Sequence, residues 1–126
     1  MIGYDDPSAE LNEVDVLFFE VGDIVYGTDA SQVLRIDRSH PDDLVVEGLG
    51  PLKRGNRALV FDTPEGEGHL KVDTIRGVRP VPIVALRRLP PVAFAAPYTV
   101  GVFLDEEDRP VMLIDLVETL NAQGRH

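Results

Sequence analysis

Apolar and polar residues alternate along this chain in short runs, and such runs predict strands. The first covers residues 14–21. Val16 and Phe18 offer apolar bulk to one face, Leu17 and Phe19 to the other, so this strand is expected to be buried on both sides. Gly22-Asp23 joins it to a second strand over 24–28, with Ile24 and Tyr26 on one face. A Gly-Asp joint between two β runs reads as a hairpin. Residues 30–36 continue as a strand or a short helical turn, and Pro41-Asp42-Asp43 breaks the run. Leu44-Val45-Val46 makes a short strand at best, before an irregular stretch marked by Gly48, Gly50, Pro51 and Gly55.

A second hairpin is predicted from strands at 57–62 and 69–72 around Pro64-Glu65-Gly66-Glu67-Gly68. Another strand follows at 75–81, then one helical turn at 82–86. Pro90, Pro91 and Pro97 stiffen an extended connection. Strands at 99–104 and 110–114 form a third hairpin around Asp105-Glu106-Glu107-Asp108. Asp115 can cap a helix that runs to about Asn121, with Gly124 as its stop. Three hairpins and one helix indicate an all-β barrel or sandwich. A faint internal echo, Leu17-Phe18-Phe19-Glu20 against Leu59-Val60-Phe61-Asp62, points to two related small units.

The 126 residues suit one domain with a self-sufficient core. No cysteine is present, which excludes disulfides, thiolate metal sites and a cysteine nucleophile. The net charge of −10 lies wholly in residues 1–50, which hold 12 acidic residues against Arg35 and Arg38 alone; residues 51–126 balance 10 acidic residues with 10 basic ones. That field argues against nucleic acid and anionic membrane as partners. The N-terminus has no signal-peptide pattern, and the longest uncharged run, 89–104, is too short and too proline-rich to span a bilayer, so a cytoplasmic protein is expected. His40, His69 and His126 do not sit at metal-binding spacings, and no nucleophile elbow or phosphate-binding glycine loop occurs. The 105–108 acidic tip lacks a calcium-loop pattern and reads as a solvated turn. No enzyme and no cofactor are expected.

The run from Leu17 through Gly22-Asp23, Tyr26-Gly27 and Asp29 to Val33 and Ile36 resembles the opening of CheW-like domains. Val72-Asp73-Thr74-Ile75-Arg76-Gly77-Val78 resembles a later strand of that family, residues 86–91 its linker, Pro97-Tyr98-Thr99-Val100-Gly101-Val102 its penultimate strand, and Val111-Met112-Leu113-Ile114-Asp115-Leu116 with Leu120 its C-terminal end. The four pieces stand in the family's order over about two-thirds of the chain. The family's middle N-L-R-G turn has no counterpart, and residues 39–56 stand where a further hairpin and helix are expected.

The resemblance implies a mainly β fold of two small SH3-like barrels packed together, one of them incomplete, with a short C-terminal helix. It places a single domain at residues 13–121 between flexible ends at 1–12 and 122–126. It implies a non-catalytic chemosensory scaffold that binds chemoreceptor cytoplasmic hairpins, at receptor clusters in the cytoplasm. A histidine kinase regulatory domain or other CheW-like proteins are the further partners it implies, with direct kinase binding expected to be reduced or absent. Val33 and Ile36, with Asp73, Ile75 and Val78, fall where the family's receptor groove is lined; core packing is their other role, since alternate strand residues must face a core. Arg35 and Arg38 can pair with receptor carboxylates or serve local charge balance. Another reading of the same composition is a small acidic β-barrel module that binds or inhibits a basic protein.

Overall fold

A computed structural model describes residues 12–87 and 99–123. Among the described residues, nine strands and one α-helix follow one another: β1 Glu13–Val21, β2 Ile24–Asp29, β3 Val33–Arg38, β4 Arg57–Thr63, β5 Gly66–Val72, β6 Thr74–Pro82, β7 Leu86–Arg87, β8 Thr99–Leu104, β9 Pro110–Ile114 and α1 Leu116–Gln123. Single 3-10 turns lie at Ala30–Gln32, Glu47–Leu49 and Ile83–Ala85. The strands form a six-stranded sheet ordered β6-β1-β2-β9-β8-β7 and a three-stranded sheet ordered β3-β4-β5. The expected mainly β architecture of packed β units with a C-terminal helix is the one observed. The expected flexible ends and the proline-rich connection fall largely outside the described residues, as do Pro97, Tyr98 and Gly124.

β1 separates two apolar cores. Leu17, Phe19 and Val21 point into the first, with Leu59, Phe61, Leu70, Val72, Ile114 and Leu116. Val16 and Phe18 point the other way, into a smaller core with Val81, Val111 and Leu113. Residues 16–19 are each at most 4% exposed. The doubly apolar pattern of this strand therefore reports a strand shared by two packing layers. β4, the other half of the sequence echo, is likewise a central strand, between β3 and β5.

Three local expectations change. Residues 30–36 divide into a 3-10 turn, capped by the Asp29 side chain accepting from Ser31 N at 2.9 Å, and β3. The second hairpin is tighter than expected: Thr63 pairs with Gly66, so β5 begins three residues earlier and only Pro64-Glu65 form the turn. Gly68 belongs inside that strand because its missing Cβ leaves room for the Phe61 ring, whose Cζ would lie 2.7 Å from such an atom. Leu44-Val45-Val46 is no strand; it contributes one parallel bridge, Leu44 to Leu70.

Two features were not visible locally. β9 pairs with β2 in parallel, Tyr26 opposite Met112 and Thr28 opposite Ile114. The tight seam needs Gly27, because a Cβ there would meet Leu113 Cδ2 at 2.6 Å and Val16 Cγ1 at 2.8 Å. α1 is capped as expected: Asp115 Oδ1 accepts from Glu118 N at 2.9 Å. Its Leu116 is fully buried in the first core.

Candidate interaction surface

The seven residues singled out in the sequence lie on, or at the start of, two sheet-edge strands. Val33, Arg35, Ile36 and Arg38 are on β3; Ile75 and Val78 are on β6, with Asp73 just before it. β3 and β6 belong to different sheets. Their apolar members nevertheless look towards the same core. Directly opposite residues of an antiparallel pair share a face. Ile36 is opposite Leu59, Ile75 opposite Phe19, and Val78 opposite Leu17, all three partners being first-core residues. Val33 and Ile75 pack against that core. Ile36 and Val78 extend its face outward and remain 41% and 52% exposed.

The charged members divide. The Arg35 guanidinium donates to both Glu67 carboxylate oxygens at 2.8 and 2.9 Å and, through Nε, to Asp37 at 2.9 Å. These contacts raise the Arg35 pKa and, through the Arg35 hydrogen bonds, lower that of Glu67. Arg35 thus serves the local charge balance that the sequence left open. Arg38 is exposed and has no ion pair among the described residues.

Asp73 is placed differently from the other six. Only 9% exposed, its carboxylate accepts from the backbone N–H groups of Gly22 at 2.6 Å, Lys53 at 2.9 Å, Arg54 at 2.7 Å and Gly55 at 2.6 Å. Burial pushes its pKa up, and the four converging N–H dipoles outweigh that, holding it at about 2. Its side chain is engaged inside the fold, where it ties the end of the 39–56 segment to the β1–β2 turn.

That segment is not a bare linker. Val46 and Leu49 are 3% and 2% exposed in the first core, and Leu52 packs against it. The Tyr26 hydroxyl donates to Leu49 O at 2.8 Å. Leu44 N donates to His69 O at 3.0 Å, and Lys71 N to Leu44 O at 2.9 Å, which covers the outer edge of β5. The loop thus fills core space with side chains where the resemblance places strands.

A cleft of about 700 Å³ opens on the second-core side of β1, with Phe18, Ile24, Val25 and Val111 among its apolar walls. Its rim is crossed by Arg76 to Glu20 at 2.5 Å and Arg79 to Glu106 at 3.5 Å, and Arg79 lies 4.5 Å over the Phe18 ring. Sequence alternation gave no sign of it, because the wall joins one hairpin's strand to another hairpin's tip. The 105–108 tip is a self-capped turn, Asp105 Oδ1 accepting from Glu107 N and Arg109 N at 2.8 and 2.9 Å. No group of three His, Cys, Asp or Glu is placed to hold a metal among the described residues. No described helix is long and apolar enough to cross a membrane.

The fold is that of a CheW-type scaffold. The scaffolding protein TtCheW from Thermoanaerobacter tengcongensis superposes with a TM-score of 0.68 over 89% of this chain and 95% of its own, at 19% identity. The frizzy aggregation protein FrzB of Myxococcus xanthus is 65% identical over 113 residues, 90% of this chain and the whole of that protein. No protein-family profile matches the chain. The chain belongs to the CheW-like chemotaxis adaptor family and is closely related to FrzB.

Proposed function

We propose that this protein is a receptor-side adaptor. It binds the cytoplasmic hairpin of a chemoreceptor through the apolar residues of β3 and β6 and contacts the histidine kinase regulatory domain weakly or not at all. It works in the cytoplasm, at receptor clusters. The observation that carries the reading is the pair Ile36 and Val78: both belong to the face of the first core, yet stand open to solvent at 41% and 52%. Apolar side chains held on rigid strands beside Arg38, which has no ion pair among the described residues, suit a helical hairpin that offers an apolar stripe and carboxylates. Val33 and Ile75 support them from behind. Reduced kinase contact follows from the 39–56 loop, which supplies core side chains and a single bridge instead of a further hairpin.

The test is a titration of the purified protein against the receptor hairpin and against the kinase regulatory domain. Burying a fully exposed large aliphatic side chain contributes about 1.5–3 kcal/mol, of which about half remains for side chains 41% and 52% exposed. Ile36→Ser and Val78→Ser should therefore each weaken receptor binding by roughly three- to tenfold with the fold intact. Undiminished receptor binding by both variants, or kinase activation equal to that of a full-length adaptor, would overturn the reading.

A further inference from the structure

Among the described residues the two sheets have four outer edges, those of β6, β7, β3 and β5. That of β6 carries Pro80 and Pro82, which donate no N–H, and a bulge opposite Phe18 and Phe19. Of β7, two residues are described, Leu86 and Arg87. β5 is covered by Leu44. That leaves β3: among the described residues no strand pairs with its outer side. Leu34 and Ile36 stand exposed on it at 48% and 41%, with neither proline nor lysine to discourage pairing.

We infer that two copies of this chain pair antiparallel through β3, joining their three-stranded sheets into one of six strands about a two-fold axis at Ile36. The register follows from the strand itself. Backbone groups point to a given side at every second residue, so a two-fold ladder must set one residue opposite itself. An axis at Arg35, Asp37 or Arg38 sets like charges face to face, which is destabilising. An axis at Val33 or Leu34 falls in the bulge between Val33 and Arg35. An axis at Ile36 sets Ile36 against Ile36 and Arg35 against Asp37 twice. One face of the seam then carries the Ile36 pair flanked by Leu34 opposite Arg38 on either side, where the aliphatic stem of Arg38 can lie against Leu34, and the other carries two opposite-charge pairs. Arg35 is already held by Glu67 and by Asp37 of its own chain, so both charged side chains are ordered before the second copy arrives and each Asp37 comes to lie between two guanidinium groups. A ladder this short buries less than a standard interface, and the dimer is weak, with a Kd of about 10–100 µM. This inference does not depend on receptor binding, and its test uses the protein alone.

The chain has no cysteine, so any introduced thiol is unique. Opposite residues bring Cα atoms within about 5.5 Å, inside disulfide reach; positions two residues out of register lie beyond it. Under mild oxidation, Ile36→Cys should cross-link with itself. Arg35→Cys and Asp37→Cys should each stay monomeric alone and cross-link when mixed. Sedimentation of the unaltered protein should show a monomer–dimer equilibrium across about 5–500 µM. Asp37→Arg should weaken it at least tenfold, and the double exchange Arg35→Asp with Asp37→Arg should recover it. A monomer throughout that range with no Ile36→Cys cross-link would overturn the dimer. Self-linking at position 35 or 37 as fast as at 36 would overturn the register.

Discussion

Replacing Asp73 by Asn tests whether a single carboxylate holds the 39–56 segment on the barrel. Four backbone donors converge on it, from Gly22, Lys53, Arg54 and Gly55. The drop from about 3.9 for an ordinary aspartate to about 2 is worth at most roughly 2.5 kcal/mol. Lys53 and Arg54 donate from part-buried positions, so solvent screens some of this and about 1–2 kcal/mol remains for the charge. The asparagine amide also turns an NH2 group towards N–H donors, which adds about 1 kcal/mol for a lost buried hydrogen bond. Unfolding in urea at pH 7 should thus show Asp73→Asn less stable by about 2–3 kcal/mol, and the melting temperature lower by roughly 10 °C. Because the folded pKa is depressed, the stabilisation is present above about pH 4 and is lost as pH falls through about 2. The charge-dependent part of the gap between parent and variant should therefore close across that window. A variant within 0.5 kcal/mol of the parent at pH 7, or a gap unchanged at pH 2, would refute the account.

Leu49→Ala should destabilise by about 2–4 kcal/mol in the same assay if the 39–56 segment fills the first core. A loss under about 0.5 kcal/mol would make the segment a passive linker. Gly68→Ala should cost about 1–3 kcal/mol by pressing a methyl into the Phe61 ring, read by thermal denaturation beside Phe61→Leu, which should relieve part of the loss. Phe19→Ala, emptying the centre of the first core, should cost about 3–5 kcal/mol. Ile36→Ser should leave stability within about 0.5 kcal/mol while receptor binding falls, separating the surface role of this side chain from a packing role.

Much of the architecture was legible in local pattern. Val16, Leu17, Phe18 and Phe19 announced a strand buried on both faces, and the two cores flanking β1 are the reason. Gly22-Asp23 marked the first hairpin, and Asp115 marked the start of α1. These features were readable because burial of alternate side chains and capping of a helix end are settled by neighbours in sequence. The same local logic placed the second hairpin's turn too wide, since Gly66 and Gly68 resemble turn residues until Phe61 is known to lie across the strand.

The sequence by itself determined which residues seek burial, where the chain turns and where the charge lies. The tertiary structure decided which strands meet, and with them what the singled-out residues do. Alternation says that Ile36 and Val78 have apolar faces; only pairing with β4 and β1 directs both to the first core and leaves them open to water. Nothing near Asp73 shows that its carboxylate collects donors 18 to 51 residues away. Nor does anything near Arg35 show that Glu67, 32 residues on, neutralises it. A local pattern records how much of a side chain leaves water. Its partner is fixed by the register of distant strands, which packing of the whole core selects.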